Sequence, residues 1–398
     1  MYVKSKTREV LIMKSFTYYN PTKVFVGSDV LENMGTTIQK KARKILLLTG
    51  KGSAHKTGVY QRVLDILRQS EIQYVTYEGI QSNPLLKDVQ EAIDVAKKEE
   101  VDAVLAIGGG SVIDSAKAVA AGFFCEDNVW DFFHRTKTIK NSLPIYCILT
   151  ISGTASEMNG TAVITKQETN EKLSIKSELL FPRATWIDPM YQSSIPTNQL
   201  SYTAMDIMSH VFEYYFAGYH TYFVDSVSES IMKTVMYAVP LLQANPNNLD
   251  ARAEFAWAAS WALNGFTACG RGYGDFSSHR IGHAISAMYG IAHGQTLAIV
   301  QPAWMRYCYI CDIQKFARFG RELFGLQGND EAVASDGIFR FIDWVHSVLG
   351  LTTSLSDLGI RAEDIKKIAM NDSIPYPSGT LRSLNQEDVI HVLRLSNF

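Results

Sequence analysis

The chain has 398 residues, 46% of them hydrophobic, and carries 38 Lys and Arg against 40 Asp and Glu, for a formal net charge of −2. That apolar fraction with so little net charge excludes an intrinsically disordered chain, and the length leaves room for about two cores. Acids and bases are interleaved throughout, so no basic field exists to displace counterions from a nucleic acid, and no run approaches the ~20 apolar residues that span a bilayer.

Residues 1–13, MYVKSKTREVLIM, are positively charged but hold an apolar run of only four residues, too short for a signal-peptide core. They read as an N-terminal extension ahead of Lys14. Short β-branched and apolar runs at 24–26, 44–48, 73–77, 103–107 and 146–150 predict strands, and apolar residues at helical spacing over 59–68 and 89–98 predict helices between them. This alternation predicts a mostly parallel sheet covered on both faces. The character changes across the stretch from Pro189 to Pro196, after which 198–217, 223–242, 251–267 and 338–349 have helical periodicity. The expected organisation is an α/β N-terminal dinucleotide-binding domain over 14–193 and an all-α C-terminal domain over 194–398. Cys125, Cys147, Cys269, Cys308 and Cys311 are too scattered for a disulfide framework and suit a reducing cytoplasm; the lone Cys308-x-x-Cys311 has no second pair to complete a zinc site.

Two glycine turns stand at predicted strand ends. After VDAVLAI come Gly108, Gly109, Gly110 and Ser111, followed directly by the helical run VIDSAKAVAA. Glycines there allow close backbone approach, and the start of a helix offers unpaired N–H groups to a pyrophosphate. A plain structural turn is the alternative, and Asp114 and Lys117, one turn in, face either solvent or ligand. After KILLL, the turn Gly50-Lys51-Gly52-Ser53 carries no acid. An acid at the adenosine ribose binds its 2′-hydroxyl and repels a 2′-phosphate, so this turn favours NADP(H) over NAD(H), with Lys51 and Ser53 to receive the phosphate.

Nine histidines in 398 residues put about a third of one in any fifteen-residue window, yet His279, His283 and His293 fall in one. His279 and His283 share a helix face, as do Asp206 and His210 in SYTAMDIMSHVFEYY. One such pair is ordinarily a surface hydrogen bond; two pairs on separate helices plus a third histidine favour convergence on one cation. A carboxylate with imidazoles suits Fe(II) or Zn(II), without separating them, and argues against Ca(II) or Mg(II).

These residues resemble those of the iron-containing (group III) alcohol dehydrogenases, most closely the butanol dehydrogenase and NADPH-dependent aldehyde reductase branch. The likeness runs from Lys14 onward through YNPTKVFVG, TGKGSAHKTGVY, AIGGGSVIDSAK, ILTISGTASEMNGTAVIT, DIMSHVFEYY and HRIGHAISAMYGIAHGQTLAIV. The resemblance implies a dehydroquinate-synthase-like fold with the cleft between the two domains. It implies Asp206, His210, His279 and His293 as ligands of a divalent metal, with His283 beside the substrate and not a ligand; one helical turn from a ligand, His283 is the candidate proton relay. For the cofactor it implies Gly109, Gly110 and Ser111 at the pyrophosphate, Asp114 toward the nicotinamide as a second catalytic residue, Thr150 on the adenosine side, Lys172 near the ribose and phosphates, and Gly50 to Ser53 at the 2′-phosphate. Asn83 completes the cofactor-binding set. Two positions depart from the branch: Ile151 stands for the second threonine of its T-T-x-G-T segment, and Lys51 for the middle glycine of its G-G-G-S turn.

The expected activity is hydride transfer between NAD(P)H and a small aldehyde or primary alcohol in a cytoplasmic homodimer. Aromatic Phe266, Tyr273, Phe276 and Trp304 are candidates for the substrate pocket, with ordinary core packing as the alternative. A same-fold polyol dehydrogenase and a non-catalytic nucleotide-binding relative are the rival readings; retention of all four candidate ligands argues against the second.

Overall fold

The computed structural model describes residues 13–169 and 171–396, so the expected extension, apart from Met13, lies outside the described residues. Six parallel strands form the main sheet: β1 (Lys23–Val26), β2 (Lys44–Gly50), β3 (Gln73–Ile80), β4 (Ala103–Gly108), β5 (Ile145–Leu149) and β8 (Ala184–Ile187), in the order β1-β8-β5-β4-β2-β3. The two remaining strands, β6 (Thr161–Lys166) and β7 (Glu171–Lys176), make a separate antiparallel hairpin.

The central strands are continuous apolar runs because both of their faces are covered. Along β2, Leu46 and Leu48 pack with the helices α4 (Leu86–Lys98) and α5 (Gly110–Gly122), whereas Ile45 and Leu47 pack on the opposite side with α1 (Met34–Gln39) and α3 (Val59–Gln69). The chain leaves β2 toward β3 on one side and later returns to place β4 on the other. The C-terminal ends of β2 and β4 therefore flank a topological switch point, where open α/β sheets form their ligand crevice. Gly50 and Gly108 are the last residues of those strands. The short helices α2 (Ser53–Lys56) and α6 (Trp130–Phe133) lie in connections.

A 3-10 turn, Pro189–Gln192, ends the α/β layer, and the second half is helical: α7 (Thr197–Tyr215), α8 (Tyr222–Ala244), α9 (Leu249–Ala262), α10 (Ser277–Tyr289), α11 (His293–Cys308), α12 (Ile313–Phe324), α13 (Asp330–Ser347), α14 (Ile365–Ala369) and α15 (Gln386–Leu395). Helix α7 is buried on nearly all sides at the centre of this half. The run 251–267 does not continue as one helix: α9 stops at Ala262, and Gly265 at φ +97° starts a separate turn, Phe266–Ala268. Helix α13 begins earlier than 338 because the Asn329 side chain caps it, accepting from the Ala332 amide at 3.0 Å.

Residues 150–159 strap the two halves together. Ser152 donates to Gln192 Oε1 at 2.8 Å, the buried Glu157 accepts from Ser260 Oγ of α9 at 2.5 Å, and Asn159 Nδ2 donates to the Leu263 carbonyl at 3.3 Å. Among the described residues no helix is long and apolar enough to cross a membrane.

Candidate metal centre and nucleotide cleft

Asp206 and His210 lie one turn apart on α7, His279 and His283 one turn apart on α10, and His293 is the first residue of α11. Helix α11 reaches this cluster because Gly294 has no side chain: a Cβ there would lie 2.2 Å from the Tyr202 carbonyl oxygen of α7. The three helices bring His210, His279 and His293 around one carboxylate oxygen. Asp206 Oδ1 is 3.7 Å from His210 Nε2, 3.7 Å from His279 Nε2 and 3.6 Å from His293 Nε2. Donor atoms of Asp206, His279 and His293 lie within 4.8 Å of one another, and the His210 ring stacks on His279 at 4.8 Å between centroids.

These separations are too long for hydrogen bonds. They are close to the ~3.4 Å that separates two ligand atoms in a tetrahedron with bonds of ~2.1 Å. Asp206 Oδ1 and His279 Nε2 are buried with no hydrogen-bond partner, which an enclosed polar atom rarely tolerates, and one carboxylate with imidazoles is a donor set for Fe(II) or Zn(II). The residues present therefore fit a divalent cation.

The electrostatics agree with that arrangement. Burial raises the pKa of Asp206, but the three surrounding histidines outweigh it and hold the carboxyl below its usual range. Burial lowers His279, but Glu213 and Asp206 outweigh it and hold its pKa up at about 9. Burial depresses His210, against Asp206. His283 is 4.7 Å from His293 and 6.2 Å from His279 between ring centroids, and burial and the Lys172 charge hold its pKa well below the ordinary value. Glu213, also on α7, is the residue that sequence reasoning missed. Its carboxylate accepts from His279 Nδ1 on the side away from Asp206. The signal available was its spacing, three residues past His210 on the same helix face, but a helix acid at such a spacing is ordinarily solvated.

Across the cleft, Gly109 precedes α5 with no side-chain cap, leaving the first amides of the helix unpaired within the protein. A Cβ on Gly110 would lie 2.4 Å from Thr154 Oγ1, and one on Gly109 would lie 3.1 Å from Ile151 Cβ. Ser111 Oγ donates to the Ser82 carbonyl at 2.5 Å, which draws the neighbouring Asn83 to the turn. Thr150 donates its amide to Gly108 at 3.0 Å, and its hydroxyl is buried with no partner.

Asp114 is committed inside the chain, accepting from Ser156 Oγ at 2.5 Å and from the Val163 amide at 3.0 Å. Lys117 faces no ligand: fully buried, it donates to Ser156 Oγ, Asn159 Oδ1 and the Thr161 carbonyl at 2.8, 3.0 and 2.7 Å, and burial pulls its pKa down to about 8. Lys172 on β7 is lowered by burial and raised by both Asp206 and Asp114, so its charge stands between the glycine turn and the metal cluster. Gly50 ends β2, Lys51 is exposed, Gly52 has φ +118°, and Ser53 starts α2. The turn itself holds no acid, but α4 brings Asp88 to it: burial raises the Asp88 carboxyl, and the Lys51 charge opposes that rise.

The four aromatic candidates separate. Trp304 is core, packed against Phe216 and Phe316. Phe266 packs outward with Tyr18 and Phe223, and Tyr273 is almost wholly exposed. Only Phe276 adjoins the cluster, 5.9 Å from His279 between centroids.

Comparison with known proteins accords with this geometry. Residues 21–189 match the family model "Iron-containing alcohol dehydrogenase" and residues 200–396 match "Fe-containing alcohol dehydrogenase family, C-terminal". NADH-dependent butanol dehydrogenase A of Clostridium acetobutylicum is 36% identical, covering 96% of this chain and 100% of its own. NADPH-dependent aldehyde reductase YqhD of Escherichia coli is 32% identical, over 89% and 91%. The crystal structure of NADH-dependent butanol dehydrogenase A from Thermotoga maritima matches with a TM-score of 0.94 at 42% identity, over 98% of this chain and 100% of that one. The chain belongs to the iron-containing alcohol dehydrogenase family and is an oxidoreductase of alcohols and aldehydes.

Proposed function

We propose that this enzyme interconverts a small aldehyde and its primary alcohol by hydride exchange with NADP(H) in preference to NAD(H), with Asp206, His210, His279 and His293 holding the divalent cation, iron or zinc. The observation that carries the reading is the meeting of three imidazole nitrogens within 3.6–3.7 Å of one buried carboxylate oxygen. A cation held there supplies Lewis-acid polarisation of a carbonyl oxygen. The nicotinamide supplies the hydride.

The chain's own residues do the rest. Unpaired amides at Gly109 to Ser111 bind the pyrophosphate, and the Lys172 ammonium, between Asp114 and Asp206, neutralises charge near the ribose and phosphates. Asp114 orients the nicotinamide side of the cleft by fixing α5 to Ser156 and β6. His283 is a neutral ring at the cleft, and it takes up a proton at one ring nitrogen and releases one from the other toward the product oxygen, through water or the cofactor ribose. Lys51 and the Ser53 hydroxyl, both exposed at the end of β2, support the 2′-phosphate reading. The strand β1 is a sheet edge and supports a homodimer joined along it. Scattered cysteines support a cytoplasmic setting.

The test follows nicotinamide absorbance with butanal and NADPH before chelation, after chelation, and after refilling with Fe(II) or Zn(II). Activity is expected to vanish on chelation and return on refilling; activity indifferent to chelation contradicts the metal role.

A further inference from the structure

Among the described residues, His279 alone of the three histidines that meet Asp206 has a carboxylate accepting from its far ring nitrogen. Glu213 accepts from His279 Nδ1, which places the proton on Nδ1 and leaves Nε2, buried and unpartnered, facing Asp206 at 3.7 Å. Among the described residues no carboxylate accepts from Nδ1 of His210 or of His293; His210 has the Gly153 backbone beside it instead. Glu213 makes two more contacts, both to the start of α10: it accepts from the Phe276 amide and from Ser278 Oγ at 2.9 Å. Its carbonyl also accepts from the Asp275 amide at 2.8 Å. The same residue thus ties α7, which carries Asp206 and His210, to the first turn of α10, which carries His279.

Charge gives a second reason for its presence. A divalent cation in this buried cluster meets one carboxylate, Asp206, among its ligands, and Glu213 behind His279 supplies a second negative charge. Buried charge left unbalanced is costly, and a carboxylate on the far nitrogen of a ligand histidine fixes the ring and strengthens its basicity.

We infer that Glu213 is a positioning residue of the metal site, which sets the tautomer of His279 and balances the charge of the cation. The inference rests on the metal reading proposed above.

Co(II) is the probe, with the purified full chain stripped by chelation. Competition with a chelator measures the Co(II) dissociation constant, and visible absorption reads the ligand field. Glu213→Gln keeps the shape and one acceptor oxygen but removes the charge and turns the other oxygen into a donor. It is expected to weaken Co(II) binding by about 10- to 100-fold and to shift the visible band, while the melting temperature of the metal-free protein stays within a few degrees. Glu213→Asp, which keeps the charge, is expected to bind Co(II) more tightly than Glu213→Gln. Unchanged affinity and an unchanged band in Glu213→Gln overturn the inference, as does the reverse order of the two variants. If wild type and His279→Ala bind Co(II) equally, the metal reading itself fails, which separates the two outcomes.

Discussion

His279 and His283 sit one turn apart on α10, yet their surroundings drive them in opposite directions. Glu213 and Asp206 hold the pKa of His279 at about 9 against burial, while burial and Lys172 keep that of His283 well below the ordinary value. A residue that relays protons without holding the cation separates turnover from metal content. His283→Ala is expected to lower kcat by about 10²-fold or more with metal content unchanged by elemental analysis; unchanged kcat across pH removes the relay. At the other end of the cleft, Lys51→Asp reverses the charge offered to a 2′-phosphate and adds to the nearby Asp88. The KM for NADPH is expected to rise at least about tenfold with little change for NADH, as steady-state kinetics with both cofactors will measure. The cluster of Asp206, His210, His279, His283 and His293 was legible because its spacing leaves a mark in sequence, while the choice of four of them as ligands came from the family resemblance. Glu213 was not, since its partner His279 is 66 positions away and nothing local distinguishes it from a solvated helix acid.

At the level of elements, the site depends on how closely α11 rests on α7. Gly294→Ala would drive a methyl into the Tyr202 carbonyl, so α11 must retreat and carry His293 away from Asp206. The expected result is a loss of about 1–3 kcal/mol in urea unfolding together with loss of bound metal; a variant that keeps both overturns this account of the packing. Sequence patterning found the unbroken apolar runs of β2 and β4, buried along nearly their whole length, and also the partly exposed strands β1 and β3. The hairpin β6–β7 escaped it, because β7 reads EKLSIK and buries only Ile175 fully. Strand β8, ATWI, also escaped it, although all four of its residues are buried. At the C-terminal side of α9, Gly265 adopts a left-handed conformation that apolar spacing does not register, so one predicted helix became a helix and a turn.

On the scale of the whole molecule, the two ligand sites share a wall. The strap 150–159 presses Thr154 against Gly110 at the mouth of the nucleotide turn, and a Cβ on its Gly153 would lie 3.3 Å from Thr203 and 3.9 Å from Asp206 Oδ2 on α7. The alternation of β-rich and helical stretches was readable from periodicity, whereas this bridge was not, because it is irregular chain held by long-range contacts such as Glu157 to Ser260. Its consequence is thermodynamic reciprocity. Whatever factor nucleotide occupancy adds to the grip on the cation, cation occupancy must return to the nucleotide. Titrating NADPH into metal-free and metal-loaded protein, and measuring the metal dissociation constant by chelator competition with and without NADPH, is expected to yield the same factor from either direction, and a factor of one in both would mean that the wall transmits nothing.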